Sequence, residues 1–243
     1  SLTAFDLTKM GLTPESFPEA IVSAMTELRT LNLSGESQEG CDGESIYCDE
    51  NKFPARRGGL PDFSRLTKLT TLGLSNVDIM HESELLPIRC LVRLTDLDLS
   101  GNRSLCALPD WIGELAELVS LNLNRNSYLG WIPPSIGNLR KLERLYVNLS
   151  TRFGVGSACL PDEICSLVSL EVLDYWAEVE AGDEEEDYYD EEENAQGPAL
   201  PDAIGMLTGM VDLHFNCNFP HTDAVTSGLA ALRGGGCTIS TDQ

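Results

Sequence analysis

Positive charge is scarce in this sequence of 243 residues, which has 16 lysines and arginines against 39 aspartates and glutamates and a formal net charge of −23. Nucleic-acid-binding proteins present basic surfaces to the phosphate backbone, so the composition argues against nucleic acid as a partner. An acidic surface attracts basic or cationic partners. The same charge would also serve solubility alone, and both interpretations stay open at this point.

Long apolar runs are also missing. No stretch approaches the roughly 20 apolar residues of a membrane-spanning helix, so we expect no membrane span in this segment. The first residues, Leu2 and Phe5, already belong to a repeat described below and have no polar cap before them. Because terminal repeats need such a cap, we expect the segment to belong to a longer chain or to a complex.

Residue patterns typical of enzymes are absent as well. The chain has only three histidines, His81, His214 and His221, and no G-x-S-x-G or C-x-x-C pattern. Gly154-Val155-Gly156 lacks the third glycine of a nucleotide-binding turn. His214 and Asp174 are predicted to be neighbours, but no nucleophile in their column completes a triad. The sequence therefore predicts no enzyme activity, no cofactor and no metal site.

One phrase recurs along the chain. It reads Leu91-x-x-Leu94-x-x-Leu97-x-Leu99-x-x-Asn102, and 24 residues later Leu115-x-x-Leu118-x-x-Leu121-x-Leu123-x-x-Asn126. Its Leu-x-Leu pair predicts a short strand, because alternation at period two puts both leucines on one face. Such pairs open at Leu31, Leu72, Leu97, Leu121, Leu145, Leu173 and Leu213, with Phe5 as an earlier copy and Cys237 as a degenerate last one.

A second phrase, Leu-Pro-Asp, recurs between the strands at 60–62, 108–110, 160–162 and 200–202, and Ile132-Pro133-Pro134 takes its place once. Proline suits the first turn of a helix, and Asp or Ser there can cap free N–H groups. Each repeat is therefore predicted to run strand, turn, short helix or 3₁₀ segment. One such unit cannot bury its apolar face alone, so stacked units must share a continuous core.

The chain resembles the leucine-rich repeat family along nearly its whole length. Residues 129–139 look like the plant-type pattern L-x-G-x-I-P-x-x-I-G-x-L, whereas the Leu-Pro-Asp copies look like the Leu-Pro-x-x-Ile type of intracellular repeats. The resemblance implies an α/β solenoid of about eight or nine repeats, with a parallel sheet on the concave face and short helices on the convex side. It also implies that Asn102, Asn126 and Asn218 are buried and bond backbone groups of neighbouring turns.

Residues 1–243 are predicted to form this one solenoid domain, with loop insertions at 35–59 and 179–198 where the repeat interval is long. The second insertion contains a dense acidic run, in which like charges repel and resist packing. It is interpreted either as a solvated loop or as an electrostatic contact for a basic partner, and its tyrosines also fit the context of sulfation. The residues are Asp183, Glu184, Glu185, Glu186, Asp187, Tyr188, Tyr189 and Asp190.

Cysteine chemistry bears on the compartment. Cys41 and Cys48 share the first insertion, and a disulfide between them would clip a long polar loop in a secreted protein. The alternative is eight free thiols in a reducing compartment. The plant-type repeat and the Cys41–Cys48 pair slightly favour an extracellular or cell-surface location over an intracellular one.

The concave face is the expected binding site, because its strand residues stack in columns about 4.8 Å apart. Its N-terminal half is small and polar, whereas its C-terminal half gathers aromatic and charged residues of the types enriched at interfaces. Trp176 on this face is either a partner contact or a surface covered by the acidic insertion, whereas Trp111 and Trp131 are expected to pack beside the core. The candidate residues are Asn122, Asn124, Arg144, Tyr146, Asp174, Trp176, His214 and Asn216.

These features predict a scaffold that recognises a protein or peptide on its concave face, with the acidic insertion as a second contact. The alternative is a structural subunit or intracellular adaptor of a larger assembly that uses its flanks and loops. Fold does not fix function. The two hypotheses differ in whether Trp176→Ala disturbs binding.

Overall fold

The computed structural model describes residues 2–13, 16–18, 20, 24–35, 59–150, 160–178, 200–216 and 222–241. Within them, parallel strands pair in chain order to form one open sheet. This is the α/β leucine-rich repeat solenoid that the sequence predicts. The strands are β1 (Ala4–Asp6), β2 (Thr30–Asn32), β3 (Thr71–Gly73), β4 (Asp96–Asp98), β5 (Ser120–Leu123), β6 (Arg144–Ser150), β7 (Val172–Glu178), β8 (Asp212–Asn216) and β9 (Thr238–Thr241).

The strand register follows the predicted Leu-x-Leu alignment through eight of the nine strands. Phe5 pairs with Leu31, Leu31 with Leu72, and Leu72 with Leu97. The same column continues through Leu121, Leu145, Leu173 and Leu213. Each of these leucines is buried. Burying a leucine contributes about 1.5–3 kcal/mol, and a slip of one residue would turn the whole column toward solvent. This column therefore fixes the register of the strands.

The predicted alignment of the last repeat is wrong by two residues. Leu213 pairs with Ile239 and not with Cys237. The preceding segment is a twelve-residue α-helix, α1 (Asp223–Gly234), in place of a short 3₁₀ segment. Its longer path, closed by Gly236 at φ 99°, brings Cys237 into the core ahead of the strand.

Short 3₁₀ segments form a second layer behind the sheet, as predicted. Three of them start directly after a proline, Pro109, Pro133 or Pro161, whose backbone is extended. The predicted capping by the aspartate of Leu-Pro-Asp is present at Asp62, which accepts the N–H of Ser64 at 2.8 Å. It is wrong for Asp110 and Asp162, whose segments have no side-chain cap. The segments are Glu82–Ile88, Asp110–Glu114, Pro134–Asn138, Asp162–Ser166 and Ile204–Met206.

The buried asparagines tie successive repeats together. Asn102 is fully buried, and its Nδ2 donates to the carbonyls of Leu74 and Leu99 at 2.9 Å each. Its Oδ1 accepts the N–H groups of Val77 and Ile79 at 3.1 Å each. Asn126 is buried in the equivalent position, so the predicted role is confirmed for both, whereas Asn218 lies outside the described residues.

Strands β6 and β7 are longer than the others and run through the position that asparagine holds elsewhere. Ser150 and Glu178 stand at that position, and they pair with each other as the last step of a seven-residue ladder. Without an asparagine to satisfy the backbone of a turn there, strand pairing satisfies it instead. This extension lengthens the sheet beside the predicted binding residues.

Both predicted insertions, 35–59 and 179–198, fall almost wholly outside the described residues. The Cys41–Cys48 disulfide and the acidic run 183–190 are among the residues concerned. They stay predictions, as does the assignment of 1–243 to a single domain.

Candidate functional site

Three columns of side chains make up the concave face, which is the solvent-facing side of the sheet. The middle column aligns Asn122 with Tyr146, Asp174 and His214 across β5 to β8. The next column aligns Asn148 with Trp176 and Asn216. The structure therefore brings together most of the predicted residues. Asn216 lies in β8 as expected, but its side chain is outside the described part of the structure.

Tyr146, Asp174, Trp176 and His214 form what we call the aromatic cluster. The indole N–H of Trp176 donates to Asp174 Oδ1 at 2.6 Å, and His214 Nδ1 lies 3.2 Å from the same oxygen. The Trp176 and His214 rings meet edge to face, with centroids 4.9 Å apart and an interplanar angle of 85°. The predicted contact between His214 and Asp174 is thus present, and the carboxylate holds both rings in place.

Arg144 lies apart from this cluster. Its guanidinium is 3.3 Å from Glu143 Oε2 and 4.0 Å from Asp96 Oδ1, two strands away. It reaches Asp96 across Ser120, whose small side chain leaves room. Arg144 therefore directs its charge toward the N-terminal half of the concave face.

That N-terminal half contains a feature that the sequence analysis missed. A cavity of about 360 Å³ spans β2 to β6. Gly73 lies on the floor of the cavity, and a Cβ added there would lie 2.4 Å from Asn32 Oδ1. The only sequence signal is this glycine in a column of larger residues. The polar lining is Thr30, Asn32, Ser34, Thr71, Asp96, Asp98, Ser120, Asn122 and Tyr146.

The electrostatics of the concave face are mostly acidic. Asp96, Asp98, Asp174 and Asp212 all lie on its strands, against Arg144 and His214. At the first strand, the hydroxyl and the backbone N–H of Thr8 hold the pKa of Asp6 below its ordinary value. Asp6 is therefore a carboxylate at neutral pH, and it extends the negative charge to the end of the sheet.

The described cysteines are not in the site. Cys90 and Cys106 are exposed free thiols, whereas Cys165 is half-buried and Cys237 is buried. Burial, and then the nearby Asp162 carboxylate, raise the pKa of Cys165 to about 11. This thiol is protonated at neutral pH and packs as a small apolar group. The described residues contain no cluster of three or more His, Cys, Asp or Glu side chains able to hold a metal ion.

The flank of the solenoid carries a second groove, of about 510 Å³, between the 3₁₀ segments Glu82–Ile88 and Asp110–Glu114. Arg89 crosses it and donates to both carboxylate oxygens of Glu114, at 2.8 and 2.7 Å. Trp111 lines it and packs against the core, as predicted.

The expected packing of Trp131 is wrong, because 55% of its surface is exposed. It alternates with buried Ile132, so its side chain faces solvent.

Comparison with known proteins decides the family. A family model described as a leucine-rich repeat region matches residues 50–227. The chain belongs to the leucine-rich repeat family. No curated protein sequence matches it significantly. Among the described residues, no helix combines the length and the apolar character needed to cross a bilayer.

Two solved structures illustrate the likeness of fold. One is the plant peptide hormone receptor RGFR1 in complex with RGF2, with 23% identity and a TM-score of 0.63 over 100% of this chain. The other is the Arabidopsis receptor kinase HAESA in complex with the peptide hormone IDA and the co-receptor SERK1, with 22% identity and a TM-score of 0.56 over 99% of this chain. This leucine-rich repeat chain spans only 33% of each of those chains.

Proposed function

We propose that this chain is a recognition scaffold that binds a protein or an extended peptide across its concave face, with the aromatic cluster at the centre. The observation that carries the proposal is the arrangement of Trp176 on a solvent-facing strand. Its indole is fixed by a hydrogen bond to Asp174 and by an edge-to-face contact with His214. Tryptophan is a residue type enriched at binding hot spots. A side chain held rigid before binding loses less entropy when a partner arrives.

The structural likeness supports the same class of function. RGFR1 and HAESA are receptors described in complex with peptide ligands. Because this chain spans a third of their length, the proposal concerns recognition by this segment. On the basis of the same likeness we propose an extracellular location. A linked Cys41–Cys48 pair, found by mass spectrometry after alkylation without reductant, would support that location, whereas two free thiols would argue against it.

The acidic insertion is proposed as a second, electrostatic contact. In the sequence it begins directly after β7, which ends at Glu178, two residues after Trp176. Charged contacts of this kind act mainly on the rate of association and on its salt dependence. A basic partner would therefore meet the acidic run first and the aromatic cluster second.

A second candidate function is assembly through the flank, as in a structural subunit or an adaptor. The observations in its favour are the flank groove, where Leu86 is 57% exposed, and Trp131, which lies outside that groove and is 55% exposed. In that case the concave face would take no part in binding.

A pull-down from the source extract separates the two candidates. We expect the double variant Trp176→Ala with Tyr146→Ala to lose the partner retained by the wild type, because truncating two hot-spot aromatics costs about 2 kcal/mol or more each. Trp131→Ala is the control, because it truncates an exposed tryptophan that lies off the concave face. A third variant lacking 183–193 is expected to bind more weakly, with a flatter salt dependence.

The opposite pattern would contradict the proposal. Equal recovery of the partner by the double variant and the wild type, with a loss in Trp131→Ala, would favour the flank. An unchanged affinity and salt dependence in the deletion variant would show that the acidic insertion is not a contact. It would leave the proposed role of the aromatic cluster unaffected.

A further inference from the structure

The cavity on the N-terminal half of the concave face differs in chemistry from the aromatic cluster beside it. Its walls combine hydroxyl and amide side chains with two carboxylates, Asp96 and Asp98, both on β4. Its volume of about 360 Å³ falls within the range of ligand-binding clefts. Tyr146 lines the cavity and also belongs to the aromatic cluster, so the two sites adjoin.

The two carboxylates are only partly neutralised. Asp96 accepts the Thr95 hydroxyl at 2.7 Å and has the guanidinium of Arg144 at 4.0 Å. Asp98 Oδ1 accepts the N–H of Ser100 at 2.9 Å, and no lysine, arginine or histidine of the described residues forms a salt bridge with it. A neutral or anionic occupant would leave this charge uncompensated, whereas a cationic group would pair with it.

We infer that the cavity binds an arginine or lysine side chain of an extended peptide whose other part contacts the aromatic cluster. This inference rests on the proposed function and deepens it, because it names the chemistry of the partner. The carboxylate of Asp98 takes the positive charge. Thr71, Ser120 and Asn122 line the same cavity with hydroxyl and amide groups, and Asn122 Oδ1 also accepts the N–H of Asn124 at 3.1 Å.

The distance between strands sets how many peptide residues separate the two contacts. Asp98 and Asp174 occupy the same column on β4 and β7, three strands apart. At about 4.8 Å per strand this distance is about 14 Å, which an extended chain at about 3.3 Å per residue covers in about four residues. The peptide therefore crosses the strands with its basic residue about four positions from the residue that contacts Trp176.

Selection from a library of randomised decapeptides on the immobilised chain tests the inference. We expect the wild type to enrich lysine or arginine at one position and an apolar residue about four positions away. Asp98→Asn keeps the shape of the side chain and removes the charge. For a synthetic peptide of the selected sequence, it should weaken binding about tenfold or more, since hydrogen bonds to charged groups are the strong ones. Asp110→Asn, the same charge change on the opposite layer, should leave binding unchanged.

A steric variant gives independent evidence. Gly73→Val fills the floor of the cavity without changing charge, and it should remove the preference for a basic residue; its melting temperature checks that the variant folds. Two results would overturn the inference and leave the proposed function standing. One is selection of peptides with an apolar preference but no preference for a basic residue. The other is a preference for a basic residue that Asp98→Asn does not change. Failure of the wild type to select any peptide would also overturn the inference, whereas the proposed function would fail only if the pull-down recovered the same partner with the double variant.

Discussion

At the scale of single residues, the two buried asparagines differ in what they contribute. Asn102 and Asn126 stand at equivalent positions of neighbouring repeats. Each donates to the leucine carbonyl three residues before it and to the equivalent leucine carbonyl of the preceding repeat. Oδ1 of Asn102 also accepts two backbone N–H groups, whereas Oδ1 of Asn126 has no hydrogen-bond partner among the described residues. Replacing Asn102 therefore leaves more buried backbone groups unsatisfied.

We expect Asn102→Ala to lower the free energy of unfolding by about 3 kcal/mol and Asn126→Ala by about 1–2 kcal/mol, because each buried group left without a partner costs about 1 kcal/mol or more. Urea denaturation followed by circular dichroism measures both values. Equal losses in the two variants would show that the extra bonds to Val77 and Ile79 do not contribute.

Much at this scale could be predicted from sequence, because burial of Asn102 follows from its place in the repeat. The left-handed backbone of Lys9 and Arg125, with φ of 57° and 61°, could not be. In the same turn position, Gly101 and Asn76 carry residue types that adopt such a conformation readily. The bond between Trp176 and Asp174 depends on side-chain rotamers, which periodicity does not specify.

At the scale of secondary-structure elements, glycine controls how closely the 3₁₀ segments stack. A Cβ added at Gly113 would lie 2.3 Å from the carbonyl oxygen of Ser135, in the next segment. At Gly137 it would lie 2.6 Å from the carbonyl oxygen of Glu163. Since backbone atoms of a packed layer cannot move independently, these glycines set the distance between neighbouring repeats.

We expect Gly113→Ala to destabilise the chain by about 1–3 kcal/mol through overpacking. Gly234→Ala is the control, because nothing lies within 4 Å of an added Cβ there. In that helical position alanine should be neutral or stabilising by up to about 1 kcal/mol. Thermal denaturation of both variants checks the difference, and a loss of similar size in both would contradict it.

The elements themselves are well specified by sequence where the repeat is regular. Alternating leucines predict β3, β4 and β5, and Pro109 and Pro133 mark the starts of 3₁₀ segments. The prediction fails where an element changes type. A helix in the last repeat moves the strand register by two residues, and nothing in the Leu-x-Leu pattern reports the length of the connection.

At the scale of the whole molecule, the candidate site is a composite of strands far apart in sequence. The cavity uses residues from Thr30 to Tyr146, and the aromatic cluster continues to His214. The sequence assigns these residues to columns, because the repeat fixes their register. It does not reveal the cavity, which depends on the relative sizes of side chains on five neighbouring strands and above all on Gly73.

The most direct test of the central claim is site-specific photo-crosslinking from the concave face. In one variant, p-benzoylphenylalanine replaces Tyr146; this aromatic residue reacts on irradiation with groups in contact. In the comparison variant, p-benzoylphenylalanine replaces Trp131. We expect a partner from the source extract to crosslink at 146 and not at 131. A partner that crosslinks from 131 alone would contradict it and place recognition on the flank.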